Sequence, residues 1–216
     1  MKKPHKFFEV TLNNDLSILS KYLLDIQEKT FTENIFDLPE HILQKYKGRE
    51  MGTLTQLGID RYNIFSFANK EIYNLHQALR NLTIEACEYY EINFEEQKYL
   101  IHGWFNSDGA TPDNGKYGGV NPIKYPHHFH DHSDGLGVPY FHGYYCVNAE
   151  PSSTFYQINR DANNVFENIN KNNRAIISET GHPHGRDDWF NDKPRITIAY
   201  DITPLNHLGE GSEGEI

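Results

Sequence analysis

The chain is expected to fold as an α+β protein dominated by β structure, a sandwich or barrel of short strands preceded by helices. Three features of its 216 residues lead there. Two segments in the first 98 residues carry apolar side chains at helical spacing. From residue 99 onward, short apolar and aromatic runs alternate with Gly, Pro, Asn and Asp clusters. Such a succession of short strands and turns is the pattern of antiparallel sandwiches and barrels. No apolar run approaches the length of about 18 residues that a membrane-spanning helix requires.

Taken in order, residues 14–29 form an amphipathic pattern through Leu16, Leu19, Leu23 and Ile26, with Asn14 or Asp15 placed to cap it. Weak helix signals follow near 40–47, within an irregular stretch. A second amphipathic helix spans 71–91 through Ile72, Leu75, Leu79, Leu82 and Ala86. Strands are expected at Tyr99–Phe105, Gly143–Asn148, Ser153–Ile158, Arg174–Ser178 and Arg195–Ile202. Segments 106–126 and 159–173 read as long loops, the second so rich in Asn that it suggests compositional bias. The organisation is then one domain over 1–205, with a helical part at 1–98 and a β core at 99–205. The Gly-rich acidic tail 206–216 is expected to be disordered.

Composition narrows the function. Hydrophobic residues at 38% and 29 aromatic side chains (14 Tyr, 13 Phe, 2 Trp) suffice for a core. A net charge of −10 and the lack of any basic run argue against a nucleic-acid partner. The basic N-terminus MKKPHKFFEVTL lacks the long apolar segment of a signal peptide, and Cys87 and Cys146 make no disulfide framework. A cytoplasmic protein with no membrane partner is expected, in a host cytoplasm if the gene belongs to a phage.

The 12 histidines are clustered. His127, His128, His130 and His132 lie in PHHFHDHSD, and His182 and His184 in TGHPHG. Imidazole is the usual ligand of transition metals, and carboxylate adds a hard oxygen. His132 and Asp134 are two residues apart, so an extended backbone points both to one side. With one distant histidine they make the two-histidine, one-carboxylate set of non-haem iron oxygenases, which leaves coordination positions open. Downstream, in KPRITIAYDI, Arg195 and Thr197 share one strand face while Ile196, Ile198 and Tyr200 share the other. An arginine facing inward needs an anionic partner, and a carboxylate ligand supplies one through a two-pronged contact assisted by the hydroxyl. A metal set followed by an inward R-x-T implies a small dicarboxylate co-substrate.

The order H-x-D, distal His, R-x-T resembles that of the Fe(II)- and 2-oxoglutarate-dependent dioxygenases, whose core is a double-stranded β-helix, or jelly roll. WFN (104–106), the histidine cluster, GYYCVN (143–148) and PRITIAYDI (194–202) are similar to the 2-oxoglutarate/iron oxygenases of bacteria and marine phages, over roughly 70–205. The resemblance implies an Fe(II) centre at His132, Asp134 and a histidine from the second cluster. Spacing to the arginine in that group favours His184, with His182 as the alternate. It further implies that Arg195, helped by Thr197, binds the C5 carboxylate of 2-oxoglutarate, with a hydroxyl from Tyr144 or Tyr145; Tyr145 is taken as the candidate. Such an enzyme, prolyl-hydroxylase-like, spends O2 and 2-oxoglutarate to hydroxylate a protein side chain or a small molecule. The roles of His128 and His130 stay open.

Two other classes of function compete. A cupin-like Zn or Mn isomerase or hydrolase shares the histidine-rich barrel without needing Arg195, and a binding protein keeps the fold without activity. Histidine-rich loops also occur with no metal, and GYYCVNA reads equally as core. Trp104 and Cys146 read as core, whereas Trp189 in GRDDWFND either lines the substrate entrance or anchors its loop.

Overall fold

The computed structural model describes residues 3–46, 62–94, 98–108, 140–189 and 191–205, and within helix α2 it leaves the side chains of residues 42, 45 and 46 undescribed. Helix α1 spans Leu16–Thr32. Asp15 is its N-cap, its carboxylate accepting the amides of Ser17 (3.0 Å) and Ile18 (3.1 Å). Leu19, Leu23, Ile26 and Thr30 form its buried stripe. Asn14, the other capping candidate, instead donates to the Glu71 carbonyl at 3.0 Å and ties α1 to the second long helix. Asp15→Ala should cost about 1 kcal/mol in urea denaturation, whereas Asp15→Asn should be near neutral, because either oxygen can accept the orphan amides.

Helix α2 covers Glu40–Tyr46 and α3 covers Lys70–Tyr90. Asn69 caps α3 by accepting the amides of Glu71 and Ile72, and Glu91 ends it in the left-handed conformation (φ 60). Ile72, Leu75, Leu79, Leu82 and Ala86 are buried, as their spacing predicts. No described helix is long and apolar enough to cross a membrane.

Among the described residues, eight strands follow the mainly-β expectation: β1 Phe7–Thr11, β2 Tyr99–Asp108, β3 Phe141–Asn148, β4 Ser153–Gln157, β5 Val165–Ile169, β6 Arg174–Glu179, β7 His184–Arg186 and β8 Arg195–Pro204. They form a five-stranded sheet in the order β1-β6-β3-β8-β2 and a three-stranded sheet in the order β5-β4-β7. Every pairing is antiparallel. One face of the larger sheet carries Phe141, Tyr145, Val147, Ala175, Ile177, Ile198, Tyr200 and Ile202, and packs with the helix stripes into the main core. The other face turns Tyr144, Cys146 and Ile176 toward Tyr156 of β4, forming a smaller core between the sheets. Phe7 joins it, with ring contacts to Tyr156 (4.8 Å) and Phe166 (4.9 Å).

Three strands were not foreseen. β1 lies within the part read as helical and pairs with β6, so the division at residue 98 does not separate helices from sheet. β7 has three residues, too few for a pattern. β5 crosses the supposed loop 159–173, and its asparagines are structural rather than compositional. Asn168 donates to the Tyr144 hydroxyl (2.6 Å), Asn170 to the Ser152 hydroxyl (2.8 Å), and Asn172 accepts the Ala149 amide (2.8 Å). Asn173 adopts φ 67 at the turn into β6 and accepts the Tyr145 hydroxyl at 2.6 Å. Short amide side chains supply donor and acceptor together and tolerate left-handed turns, which is why this segment repeats them.

A candidate metal and carboxylate site between the sheets

The first histidine cluster, with His128, His130, His132 and Asp134, lies outside the described residues, as does the tail 206–216. The second cluster is described, and its two histidines part company. His184 opens β7 opposite Tyr156 of β4. Its ring lies 5.5 Å from that of Tyr156 and 4.8 Å from that of His142, which places it against the space between the sheets. His142 is 1% exposed, and its Nε2 lies 3.2 Å from the Ser178 hydroxyl. In register across the larger sheet, Ser178, His142, Asp201 and His102 form one row on a common face. A hydroxyl, two imidazoles and a carboxylate thus line one end of that face, with His184 approaching from the other sheet.

His182 is 3% exposed, and its Nδ1 accepts the backbone amide of Asn159 at 2.9 Å. An accepting Nδ1 has no proton, so the neutral ring carries its proton on Nε2. His5, Glu179 and His182 bring ligating atoms within 4.8 Å of one another, the one such group of three or more among the described residues. The His5 and His182 rings are 3.9 Å apart. Two imidazoles and a carboxylate are a plausible donor set by type. Metal binding through His182 Nε2 would, however, require stripping that proton while Nδ1 still accepts the Asn159 amide. The arrangement suits an N–H donor beside a carboxylate better than it suits a metal.

Arg195 begins β8 and is 5% exposed. Its Nε and one terminal nitrogen donate to the hydroxyls of Ser152 and Thr197, both at 3.4 Å. Ile196, Ile198 and Tyr200 enter the helix-side core, so the alternation predicted for this strand holds. Thr197, 3% exposed, lies opposite Cys146 of β3. Burial pushes the Cys146 thiol up to about 11, against the pull of Arg195 and Arg174. Asp187, just past β7, accepts the Ser153 amide at 3.0 Å. Burial raises its carboxyl above the usual range, while that amide, Arg195 and Arg186 hold it down.

Tyr145 is not brought to Arg195. It belongs to the helix-side core and donates to Asn173. Its neighbour Tyr144 has the inward orientation, because successive strand residues alternate faces. The Tyr144 hydroxyl accepts from Asn168, and burial raises its pKa well above that of a free phenol, with Arg174 and Arg195 opposing. Trp104 and Cys146 are buried, as expected. Trp189 is fully buried and donates from Nε1 to the Lys193 carbonyl at 2.8 Å, which makes it the anchor of the β7–β8 connection.

Sequence reasoning passed over His142, Asp201 and His102. The signal was the strand period itself. Counting in twos from Arg195 reaches Thr197 and Asp201, and His142, Tyr144 and Cys146 share one face of β3.

No family model matches the chain, and no curated protein does. Among solved structures, HygX from Streptomyces hygroscopicus, with iron bound, is similar over 93% of this chain and 83% of its own, at 11% identity and a TM-score of 0.41. That likeness is too loose to carry a functional argument.

Proposed function

We propose that the chain is a non-haem Fe(II)- and 2-oxoglutarate-dependent dioxygenase with a jelly-roll core, acting as a hydroxylase of a protein side chain or a small molecule. One observation carries the reading. A buried arginine on the inward face of β8, flanked by the hydroxyls of Thr197 and Ser152, follows His184 at the sequence spacing of a distal iron ligand. The strand order supports the jelly roll: from β3 to β8 the chain passes between two antiparallel sheets as β3, then β4 and β5, then β6, β7 and β8.

His132, Asp134 and His184 would hold the metal. The described part of that set fits, since His184 is an imidazole facing a polar row of His142, Asp201 and Ser178 between the sheets. Bound Fe(II) would supply the redox chemistry by which O2 is activated as 2-oxoglutarate is decarboxylated to succinate and CO2. Arg195 would take the far carboxylate of 2-oxoglutarate, Thr197 would add a hydroxyl hydrogen bond, and Tyr144 would line the space between. Tyr156 and Tyr144, both buried, keep water from that space. The tautomer of His182 supports His184 as the distal ligand. His182 would orient the 158–164 turn through Asn159.

The second reading, a cupin-like Zn or Mn protein, draws on the imidazoles of His142 and His184 near Asp201. Anaerobic protein given Fe(II) and then 2-oxoglutarate separates the two. A visible charge-transfer band on adding 2-oxoglutarate is expected, and its absence with metal bound favours the cupin-like reading. In the same assay His184→Ala should lose iron and the band, while His182→Ala should retain iron. The reverse pattern would make His182 the ligand.

A further inference from the structure

We propose that Ser152 and Asn170 form a relay that aims Arg195, and that through it the asparagine-rich segment 168–173 sets the affinity for the second carboxylate of a dicarboxylate. The proposal rests on the reading of Arg195 as a carboxylate anchor, and adds two positioning residues that the R-x-T pattern does not contain.

The Ser152 hydroxyl is fully committed. It donates to the Ala149 carbonyl, and accepts from the Asn170 side-chain amide at 2.8 Å and from Arg195 Nε at 3.4 Å. A hydroxyl has one proton and two lone pairs, so these three contacts use it up and fix its rotation. Ser152 therefore meets Arg195 only as an acceptor. It has no proton to lend to a carboxylate, and its effect on one passes through the guanidinium.

Asn170 grips Ser152 at two points. Its backbone amide donates to the Ser152 carbonyl at 2.9 Å, and its side chain holds the hydroxyl. The Thr154 hydroxyl donates to Asn170 Oδ1 at 3.2 Å, which turns the amide nitrogen toward Ser152. Two residues on, Asn172 accepts the Ala149 amide at 2.8 Å. Both ends of the 149–152 turn are thus clasped by the segment between β5 and β6. Ser152, Thr154 and Asn170 are all buried, where hydrogen bonds are stronger than in water.

The base of Arg195 is held separately, because Asn148 donates to the Pro194 carbonyl at 2.6 Å. An arginine side chain is long and rotamer-rich, so a fixed base does not fix the head. Ser152 at Nε and Thr197 at a terminal nitrogen set the plane of the guanidinium. A guanidinium grips carboxylate through a planar fork, so a tilt of that plane misaligns both prongs. An asparagine tract that builds a turn thereby also orients the cation of the site.

The test is a double-mutant cycle on the full chain loaded with Fe(II) and kept free of O2, with circular dichroism to confirm folding. Ser152→Ala and Asn170→Ala are each measured with Arg195 present and with Arg195→Met, and binding is followed by calorimetry. The probe is 2-oxoglutarate; 2-oxovalerate, with the same chain length but no second carboxylate, is the comparison. With Arg195 present, Ser152→Ala should weaken 2-oxoglutarate about 10-fold, and Asn170→Ala by a smaller factor. Neither should move 2-oxovalerate by more than about twofold, and neither should weaken 2-oxoglutarate further in Arg195→Met. Equal losses for both acids, or in both backgrounds, overturn the proposal and leave Ser152 a packing residue. Unchanged 2-oxoglutarate affinity in either folded variant overturns it as well, and if Ser152→Ala does not fold, Asn170→Ala decides by the same criteria. If Arg195→Met alone leaves 2-oxoglutarate binding unchanged, the carboxylate reading fails and the relay with it; failure of the relay alone leaves the Arg195→Met loss intact.

Discussion

Gly143→Ala should cost at least roughly 3 kcal/mol and strip most soluble protein from expression, because the added methyl has nowhere to go. A Cβ at residue 143 would stand 1.9 Å from the Ile176 carbonyl oxygen and 2.9 Å from the Tyr200 ring. β3 is a central strand between β6 and β8, so its backbone cannot swing aside. The absent side chain is what lets Tyr200, directly opposite on β8, lie across the strand and donate its hydroxyl to the Ile176 carbonyl at 3.0 Å. An aromatic ring covering a strand glycine is a recurrent way of filling that gap. Gly103→Ala makes the control. Its nearest obstacles are the side chains of Phe65 (2.5 Å) and Ile64 (2.9 Å), and a half-buried phenyl ring can shift. Urea denaturation should rank Gly143→Ala well below Gly103→Ala; equal stabilities would mean that β3 and β6 do not sit in this register.

Arg195→Met should weaken 2-oxoglutarate binding by roughly 3–5 kcal/mol, about 150-fold to several thousand-fold, while iron binding survives. Methionine keeps the apolar stem and loses the cation, so a carboxylate brought into the space between the sheets would meet only the hydroxyls of Thr197 and Ser152. Thr197→Val, which removes one neutral donor, should cost about 1 kcal/mol. An anaerobic titration of the Fe(II) protein with 2-oxoglutarate measures both, and unchanged affinity in Arg195→Met would remove the co-substrate from the reading. Stability should fall little in Arg195→Met, because a buried guanidinium is replaced by a well-packed apolar chain.

The sequence announced those elements whose physics is local and periodic. α1 and α3 lie where their stripes predict, and β2, β3, β4, β6 and β8 agree within a few residues with runs rich in Tyr, Ile and Val. β5 escaped because its one buried side chain is an asparagine, Asn168, while Ile169 is exposed and Phe166, on the same face as Asn168, is only partly covered, by Phe7. β1 escaped because its partner is about 165 residues away. At the site, Arg195 and Thr197 were legible from strand alternation. His182 and His184, two residues apart, were not separable by strand geometry, and only the spacing to Arg195 in the resembling group favoured His184. In the structure the two differ in that His182 accepts an amide from Asn159, held at φ 55 in a turn that no periodicity reports. His142 was hidden because an aromatic-rich strand looks like core on both faces.

The pairing of β1 with β6 gives the chain an order of assembly. During synthesis residues 7–11 leave the ribosome long before 174–178, so β1 waits through most of translation for the strand it must join. Closing so long a loop is slow, and it follows pairings among near neighbours such as β4 with β5. Until β1 docks, the edge of β6 presents unpaired amides and carbonyls that any other extended chain could take. Glu9, reaching the buried Arg174 at 3.2 Å, then adds a charge pairing that a foreign strand would lack. Removing residues 3–11 would therefore do more than shorten the molecule. It would leave a four-stranded sheet with β6 as its open edge, and self-association through β6 would be the symptom.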